Sequence, residues 1–389
     1  MPTPLYAGHD QPSKPSKGLD AHKGLWFEHF FNEYDDSWNV NGENAKKNWI
    51  KTVEGFCGDK DQLETNAILQ RQLCTDLNGK SKAFKNNWHF ITGMGNPHPV
   101  ENGMSWHPTL GVPYLTGASV KGLVRAFVEE WSDLSSNLKK EMIYRWFGSD
   151  HKAPDKQEKE NQAGCFIFFD ALPIKPVTLH TDIMTPHMGN WYSDGGEISS
   201  DTPRDTKNSY AEALPADWHK PVIIPFLVVK HASLQFSIAP RPHANISPED
   251  IQKELPEVMK MLDNALEYLG GGAKTAAGYG RFDSDEMAEN KLKKEVKAKA
   301  ISKIKDPIEA FKALINDMEE KKIAEMFGKR FSRTKKEFSD KECDFNEIIK
   351  VLIEGKRNMI NNWKPKDKQE KNTAQGKAYI KLSKYFGDS

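Results

Sequence analysis

The feature that most constrains the fold is an ordered series of periodicities in the middle of the chain. Val120, Leu123, Val124, Phe127, Val128 and Trp131 recur at i, i+3, i+4, i+7, i+8 and i+11. This is an apolar stripe that predicts an amphipathic helix over 118–131. A second helix is announced by Ser247-Pro248-Glu249-Asp250, with a capping hydroxyl, proline at the first position and acids in the first turn. Ile251, Leu255, Val258, Leu262, Leu266 and Leu269 carry it to Gly270, where five glycines fall within 270–280.

Strand signals separate the two helices. The segment 87–92 (NWHFIT) precedes the first helix, and 164–172 (GCFIFFDAL), 177–184 and 222–230 follow it. In 233–239, Leu234, Phe236 and Ile238 alternate with Ser233, Gln235 and Ser237, as in a strand with one buried and one solvated face. A last strand starts near Tyr279-Gly280-Arg281-Phe282. The order strand, helix, strands, helix, glycine loop, strand predicts an α+β, ferredoxin-like (βαββαβ) core with insertions.

The flanks read differently. Residues 1–18 are rich in Pro, Ser, Lys and Gly and read as a flexible leader. From residue 19 to about 85 the pattern is helical and aromatic: Trp26, Phe30 and Phe31 share helical spacing, with Phe27, Tyr34 and Trp38 nearby, a core pattern more than a base-stacking one. From 285 to 389 the texture is Lys/Glu-rich helix, with Ile308, Phe311, Leu314 and Ile315 in one amphipathic segment and Ile348, Ile349, Leu352 and Ile353 in another. The domain expectation is a leader at 1–18, a core at 19–284 and a basic helical region at 285–389.

The chain of 389 residues has no net charge, with 55 basic and 55 acidic side chains, but the charge is segregated. Residues 285–389 hold 26 Lys+Arg against 19 Asp+Glu, a net of +7, so the rest carries −7. A basic tail on an acidic body fits an anionic partner, or equally a solvated helical appendage. The longest strongly apolar stretch, 222–229, is interrupted by Pro225, whereas a membrane span needs about 20 residues. With no apolar run near the N-terminus, a cytoplasmic location is expected. Cys57, Cys74, Cys165 and Cys343 include no CxxC pair, so they read as core thiols rather than a zinc site or disulfide scaffold.

Three constellations could carry chemistry. At the start of the 118–131 helix, Gly117, Ala118 and Ser119 precede Lys121 and Arg125, two cations four residues apart on one flank. Small residues, a helix start and two cations suit a phosphate; an ordinary solvated flank fits the spacing equally. The run 270–281 (GGGAKTAAGYGR) puts Lys274 and Thr275 in a glycine loop, but Ala273 stands where a P-loop needs glycine, and the helix precedes the loop instead of following it. What survives is a backbone able to approach a ligand closely, with Lys274, Tyr279 and Arg281 around it, or else a helix cap and tight turn. His180, Asp182 and His187 could bind a metal or serve in acid–base chemistry, but their spacing matches no familiar ligand set. Trp191 and Tyr192, next to them, could stack an unpaired base or pack the loop. No GxSxG, HExxH or paired-carboxylate signature occurs, so no enzymatic activity, cofactor or metal is expected.

Three ordered segments carry a resemblance. They are GMGNPHPVENGMSWHPTLGVPYLTGASVKGLVRAF, then GCFIFFDALP with LHTDIMTPH and PADWHKPVIIPFLVV, then LGGGAKTAAGYGRF. Together, over about 92–282, they resemble the RAMP (repeat-associated mysterious protein) superfamily of CRISPR effector subunits, nearest the sixth RAMP subunit of type III-B Cmr complexes. The resemblance implies an RRM-like fold that holds guide RNA (crRNA) by its backbone near the 3′ end. It also implies that the chain caps a filament of repeated RAMP subunits beside a small helical subunit, in antiviral defence, with target cleavage left to other subunits. The family's helix motif falls on Gly117, Ser119, Lys121, Gly122 and Arg125, and its glycine loop on 270–281. The implied RNA contacts are Gly117, Ser119, Lys121, Arg125, His187, Gly271, Gly272, Lys274, Thr275, Tyr279 and Arg281. Thr116-Gly117-Ala118-Ser119 stands where the family often has Pro-Gly-Ser-Ser, one hydroxyl fewer. A rival reading is a metal-independent endoribonuclease that processes repeat RNA with His187 as acid or base. A third is a scaffold whose main surface meets other proteins.

Overall fold

The computed structural model describes residues 22–149, 162–194, 214, 219, 221–242 and 246–386, except 36, 38, 41, 317, 341 and 342. The leader, Trp38 and most of 195–220 lie outside the described residues. The chain divides into two compact units, Met1–Leu292 and Lys293–Ser389.

The first unit opens with three helices, α1 (Lys23–His29), α2 (Gly42–Val53) and α3 (Lys60–Asp76). The strand β1 (Gly55–Cys57) lies between the last two. Trp26 stacks on Phe30 and Trp49 with ring centroids 5.2 and 5.5 Å apart, and Phe27 is fully buried, so the aromatic cluster is core. Next come β2 (Lys80–Asn86), α4 (Gly117–Ala126), α5 (Ser136–Phe147), β3 (Phe166–Phe168), β4 (Leu172–Pro173) and β5 (Val177–Met184). They are followed by α6 (Gly189–Asp194), β6 (Ile224–His231), β7 (Ser233–Pro240), α7 (Pro248–Asn264) and β8 (Phe282–Ser284). After α4 and α7 the chain continues as single wider turns at Phe127–Trp131 and Ala265–Leu269.

Two antiparallel sheets result. The larger runs β3-β7-β2-β8, with β4 also paired to β7; the smaller runs β1-β5-β6. On one face of the larger sheet, Leu234, Phe236 and Ile238 join Val120 and Val124 of α4 and Leu255, Val258 and Leu262 of α7 in one core. Burying such aliphatic and aromatic side chains is worth about 1.5–3 kcal/mol each before entropy is counted.

The other face corrects an expectation. Ser233, Gln235 and Ser237, read as solvated, are fully buried because α3 covers that side. The polar atoms are satisfied rather than wetted. Gln235 accepts from Nε of Arg71 (2.9 Å) and donates to the carbonyl of Ala67 (2.9 Å), the Ser237 hydroxyl pairs with Ser81 (2.8 Å), and Ser233 donates to Asp285 (2.7 Å). Arg71 in turn grips both carboxylate oxygens of Glu289 at 2.7 Å.

A second correction concerns the segment 87–92. The central strand is β2, one segment earlier, and 87–92 is irregular chain held by an isolated bridge between Phe90 and Val229. The aromatic run 164–172 yields two short strands, β3 and β4, rather than one. At the end of the 118–131 stripe, Val120, Val124 and Val128 are fully buried whereas Trp131 is 57% exposed, because α4 gives way to a wider turn.

The described residues after β8 form no strand. They comprise α8 (Glu286–Ser302), α9 (Pro307–Ile315), α10 (Glu320–Ala324), α11 (Phe331–Ser339), α12 (Phe345–Asn361), α13 (Lys368–Asn372) and α14 (Ala374–Leu382). The boundary between the two units therefore falls inside α8. The second unit has its own core of Phe311, Ile315, Phe327, Ile348, Ile349 and Leu352, while Leu314 is 39% exposed. Among the described residues, no helix is long and apolar enough to cross a membrane.

Candidate nucleic-acid interface

The start of α4 is internally occupied. Thr116 is its N-cap, its hydroxyl oxygen accepting from the amide of Ser119 at 3.2 Å and sitting 2.9 Å from the Ser119 hydroxyl. The amide of Gly117 donates to the carboxylate of Asp170 at 2.6 Å. A Cβ on Gly117 would sit 2.2 Å from the carbonyl oxygen of Phe168. Asp170 thus accepts the hydrogen bond of the Gly117 amide, and this glycine allows close packing of helix on strand.

The cations one turn further on are arranged otherwise. Lys121 is half-buried, and burial lowers the pKa of its ammonium, with Arg241 and Arg125 adding like-charge repulsion. Arg125 pairs with Glu129 at 2.7 Å. Arg241, just beyond β7, is fixed by its Nε donating to the Gly164 carbonyl (2.8 Å) and its amide to that of Cys165 (2.7 Å). Three cations therefore lie near one another, one half-buried, one paired with Glu129 and one fixed through backbone carbonyls. Sequence reasoning missed Arg241. Its signal was available in Pro240-Arg241-Pro242, an arginine held between two prolines at a strand end.

The glycine loop is shaped by the protein's own backbone. Gly272 has φ +95°, and a Cβ there would lie 1.9 Å from the carbonyl oxygen of Ile91; Gly280, at φ +71°, would meet that of Gly271 at 2.0 Å. The amide of Gly271 donates to the Gly280 carbonyl (2.8 Å), that of Ala273 to Ile91 (2.8 Å) and that of Gly280 to His89 (2.7 Å). These bonds close the loop on itself and on the irregular segment 87–92. Internal packing accounts for Gly272 and Gly280, whereas Gly278, beside open space, caps the turn before it at φ +88°, a left-handed conformation that favours glycine by itself.

The side chains of this loop are largely engaged. Lys274 lies over the ring of Phe226, 5.5 Å from its centroid, and donates to the Met184 sulfur at 3.8 Å. Arg281 donates to the carbonyl of Glu267 (3.0 Å), and Thr275 opens a short 3₁₀ turn. Tyr279, one of the implied RNA contacts, is buried, and its hydroxyl donates to Asp182 at 2.7 Å. Burial and the Asp182 carboxylate raise the phenol's pKa. Burial resists ionisation of Asp182, but hydrogen bonds from Tyr279, the Ile183 amide and His89 outweigh it and hold the carboxyl below its usual range.

The trio His180, Asp182 and His187 is not assembled. Asp182 bonds His89 (3.1 Å), His180 lies 3.7 Å from Glu54, and His187 is exposed past the end of β5. Among the described residues, no three His, Cys, Asp or Glu are grouped to hold a metal ion. Burial pushes the thiols of Cys57 and Cys165 up to about 12, so neither is a thiolate at neutral pH. Trp191 and Tyr192 are exposed on the short α6, at 36% and 78%. Trp88 and His89, read in the sequence only as strand residues, prove central to the surface beside the loop. The signal was a tryptophan between two asparagines and a histidine, an odd content for a buried strand.

Comparison with known proteins points one way. The chain is 28% identical over 263 residues to the CRISPR system Cmr subunit Cmr6 of Pyrococcus furiosus, covering 54% of this chain and 69% of that one. Among solved structures, it superposes on a chain of the type III-B Cmr-beta complex bound to cognate target RNA with a TM-score of 0.40 and 17% identity, covering 65% of this chain and 76% of that chain. The crystal structure of Cmr6 from Pyrococcus furiosus gives 0.27 and 23%, over 53% and 97%. Both superpositions are low, so the assignment rests on sequence. The RAMP superfamily profile matches residues 84–283, which run from β2 to β8 and contain α4, the glycine loop and Arg241. The chain belongs to the RAMP superfamily.

Proposed function

We propose that this chain is a non-catalytic, guide-RNA-binding structural subunit of a type III-B CRISPR effector complex, capping its filament near the guide's 3′ end. The observation that carries the reading is the group of Lys121, Arg125 and Arg241, three cations near one another inside the superfamily match, with Lys121 half-buried and Arg125 also paired with Glu129. The kinship to a Cmr6 subunit supplies the complex. The core is read as ferredoxin-like. In chain order β2, β3, β7 and β8 are its four strands, arranged second-third-first-fourth across the sheet, with α4 and α7 as the crossing helices. Its partners are guide RNA, target RNA through the complex, the other RAMP subunits and the small helical subunit. No cofactor or metal takes part. Binding is mostly to phosphates and weakens steeply with salt.

The test is co-purification of the tagged full chain expressed with the proteins encoded beside it, followed by sequencing of any bound RNA. A discrete set of short RNAs with a shared repeat-derived 5′ end, recovered with other subunits, supports the reading. Recovery of the chain alone, with unprocessed repeat RNA or none, overturns it.

A further inference from the structure

The surface beside the glycine loop carries a feature that the phosphate-binding reading leaves unused. Trp88 is 48% exposed, yet it is tightly held. Its ring stacks on that of His89 with centroids 4.7 Å apart and planes 13° from parallel, and lies 4.7 Å from the ring of Tyr279. His89 and Tyr279 are in turn fixed by the same oxygen of Asp182, at 3.1 and 2.7 Å. The backbone is pinned as well. The Asn86 side chain donates to the carbonyls of Trp88 (2.6 Å) and Val229 (3.1 Å), and the amide of Asn87 donates to that of Arg281 (3.1 Å). A half-buried carboxylate, a phenol and an imidazole thus hold one indole at the surface.

We propose that Trp88 is a stacking platform for an unpaired RNA base. The proposal rests on the RNA-binding reading above. A flat aromatic held rigid loses little entropy when a base settles on it, and stacking tolerates any base because every base has a π-face. The surroundings favour RNA over protein. Trp88 stands in the run Lys85-Asn86-Asn87-Trp88-His89, with the exposed Lys230 one residue past Val229 and Asp283 paired in register with Lys85. The core of a protein–protein interface is an apolar patch depleted of charge, whereas an exposed indole framed by amides, exposed lysines and an acid suits a base with its phosphates alongside.

The full-length chain is tested for binding to a labelled, mixed-sequence single-stranded RNA and to a duplex of the same length. Wild type, Trp88→Ala and Trp88→Phe are compared over a range of salt. Trp88→Ala is expected to weaken single-strand binding by roughly 5- to 150-fold, the range for removal of one stack. Its salt slope should stay as in wild type, because no cation is removed. Trp88→Phe, which keeps a π-face, should recover most of the affinity. Duplex binding should not change, since paired bases cannot reach the ring. Equal single-strand binding by Trp88→Ala, an equal loss on duplex, or a loss in Trp88→Phe as large as in Trp88→Ala overturns the platform. Unchanged RNA affinity with a partner subunit missing from the complex would make Trp88 a protein contact and also overturn it. A wild-type chain that binds neither RNA would instead sink the RNA-binding reading itself.

Discussion

The glycine loop and the flank of α4 look alike in sequence, each a group of small residues beside cations, and both are largely engaged from within, but they differ at Lys121 and Gly122. In the loop, Gly272 and Gly280 are required by their own neighbours, amides bond within the chain, and Lys274 and Arg281 both have partners. On α4 the Gly117 amide and Arg125 have partners too, in Asp170 and Glu129, but Lys121 is half-buried near Arg125 and Arg241. Gly122 has nothing within 4 Å of where a side chain would stand. Glycine richness by itself therefore says little about ligands, because backbone packing explains most of it. A cation held at an electrostatic cost, and a helical glycine with no internal reason, say more.

The sharpest way to break this comparison is to put side chains on glycines of both regions. Gly272→Ala forces a methyl into the Ile91 carbonyl at a positive φ and should destabilise the first unit by about 3 kcal/mol or more. A clear drop in melting temperature checks this; no drop would mean the loop is not locked from within. Tyr279→Phe removes one hydrogen bond to a carboxylate and should cost about 1.5–3 kcal/mol.

That variant also makes a pH prediction. The Asp182 carboxyl is held below its usual range, so its contribution to stability is present above the ordinary Asp value of about 3.9 and is lost as pH falls through the lower folded-state value. Without the Tyr279 hydroxyl the folded value rises toward the ordinary one. The stability gap between wild type and Tyr279→Phe should therefore be full above about pH 5 and close at lower pH. Urea midpoints from about pH 3 to 6, which spans the Asp titration range, read this directly. A gap that does not change with pH contradicts it.

The smallest effect has the opposite sign. Gly122→Ala should stabilise α4 by about 0.5–1 kcal/mol, since nothing blocks the methyl and alanine is the better helix former. If RNA approaches α4 closely there, the same change weakens RNA binding. Stabilisation with unchanged RNA affinity would show that nothing comes near.

Much of this arrangement was legible from periodicity. The stripe on α4 and the capped start of α7 follow from spacing and capping that burial enforces. Three things were not legible. Ser233, Gln235 and Ser237 alternate as a solvated face would, and only the covering α3, with Arg71 and Glu289, shows that the polar face is buried and satisfied. Lys121 and Arg125 are visible at four-residue spacing, but Arg241 joins them from a strand end over a hundred residues away. Trp88 sits in a segment whose apolar content mimics a strand, and its exposure is set by tertiary contacts from Asp182 and Tyr279.

RNA binding by this chain depends above all on the cations on and beside α4 holding RNA phosphates. The direct measurement is RNA affinity of the full chain against salt concentration, for wild type and for Lys121→Glu with Arg125→Glu. The expected result is a fold retained by thermal melting, weaker binding, and a slope of log affinity on log salt shallower by about 0.7 for each phosphate of single-stranded RNA that is no longer neutralised. An affinity and slope equal to those of wild type would contradict it.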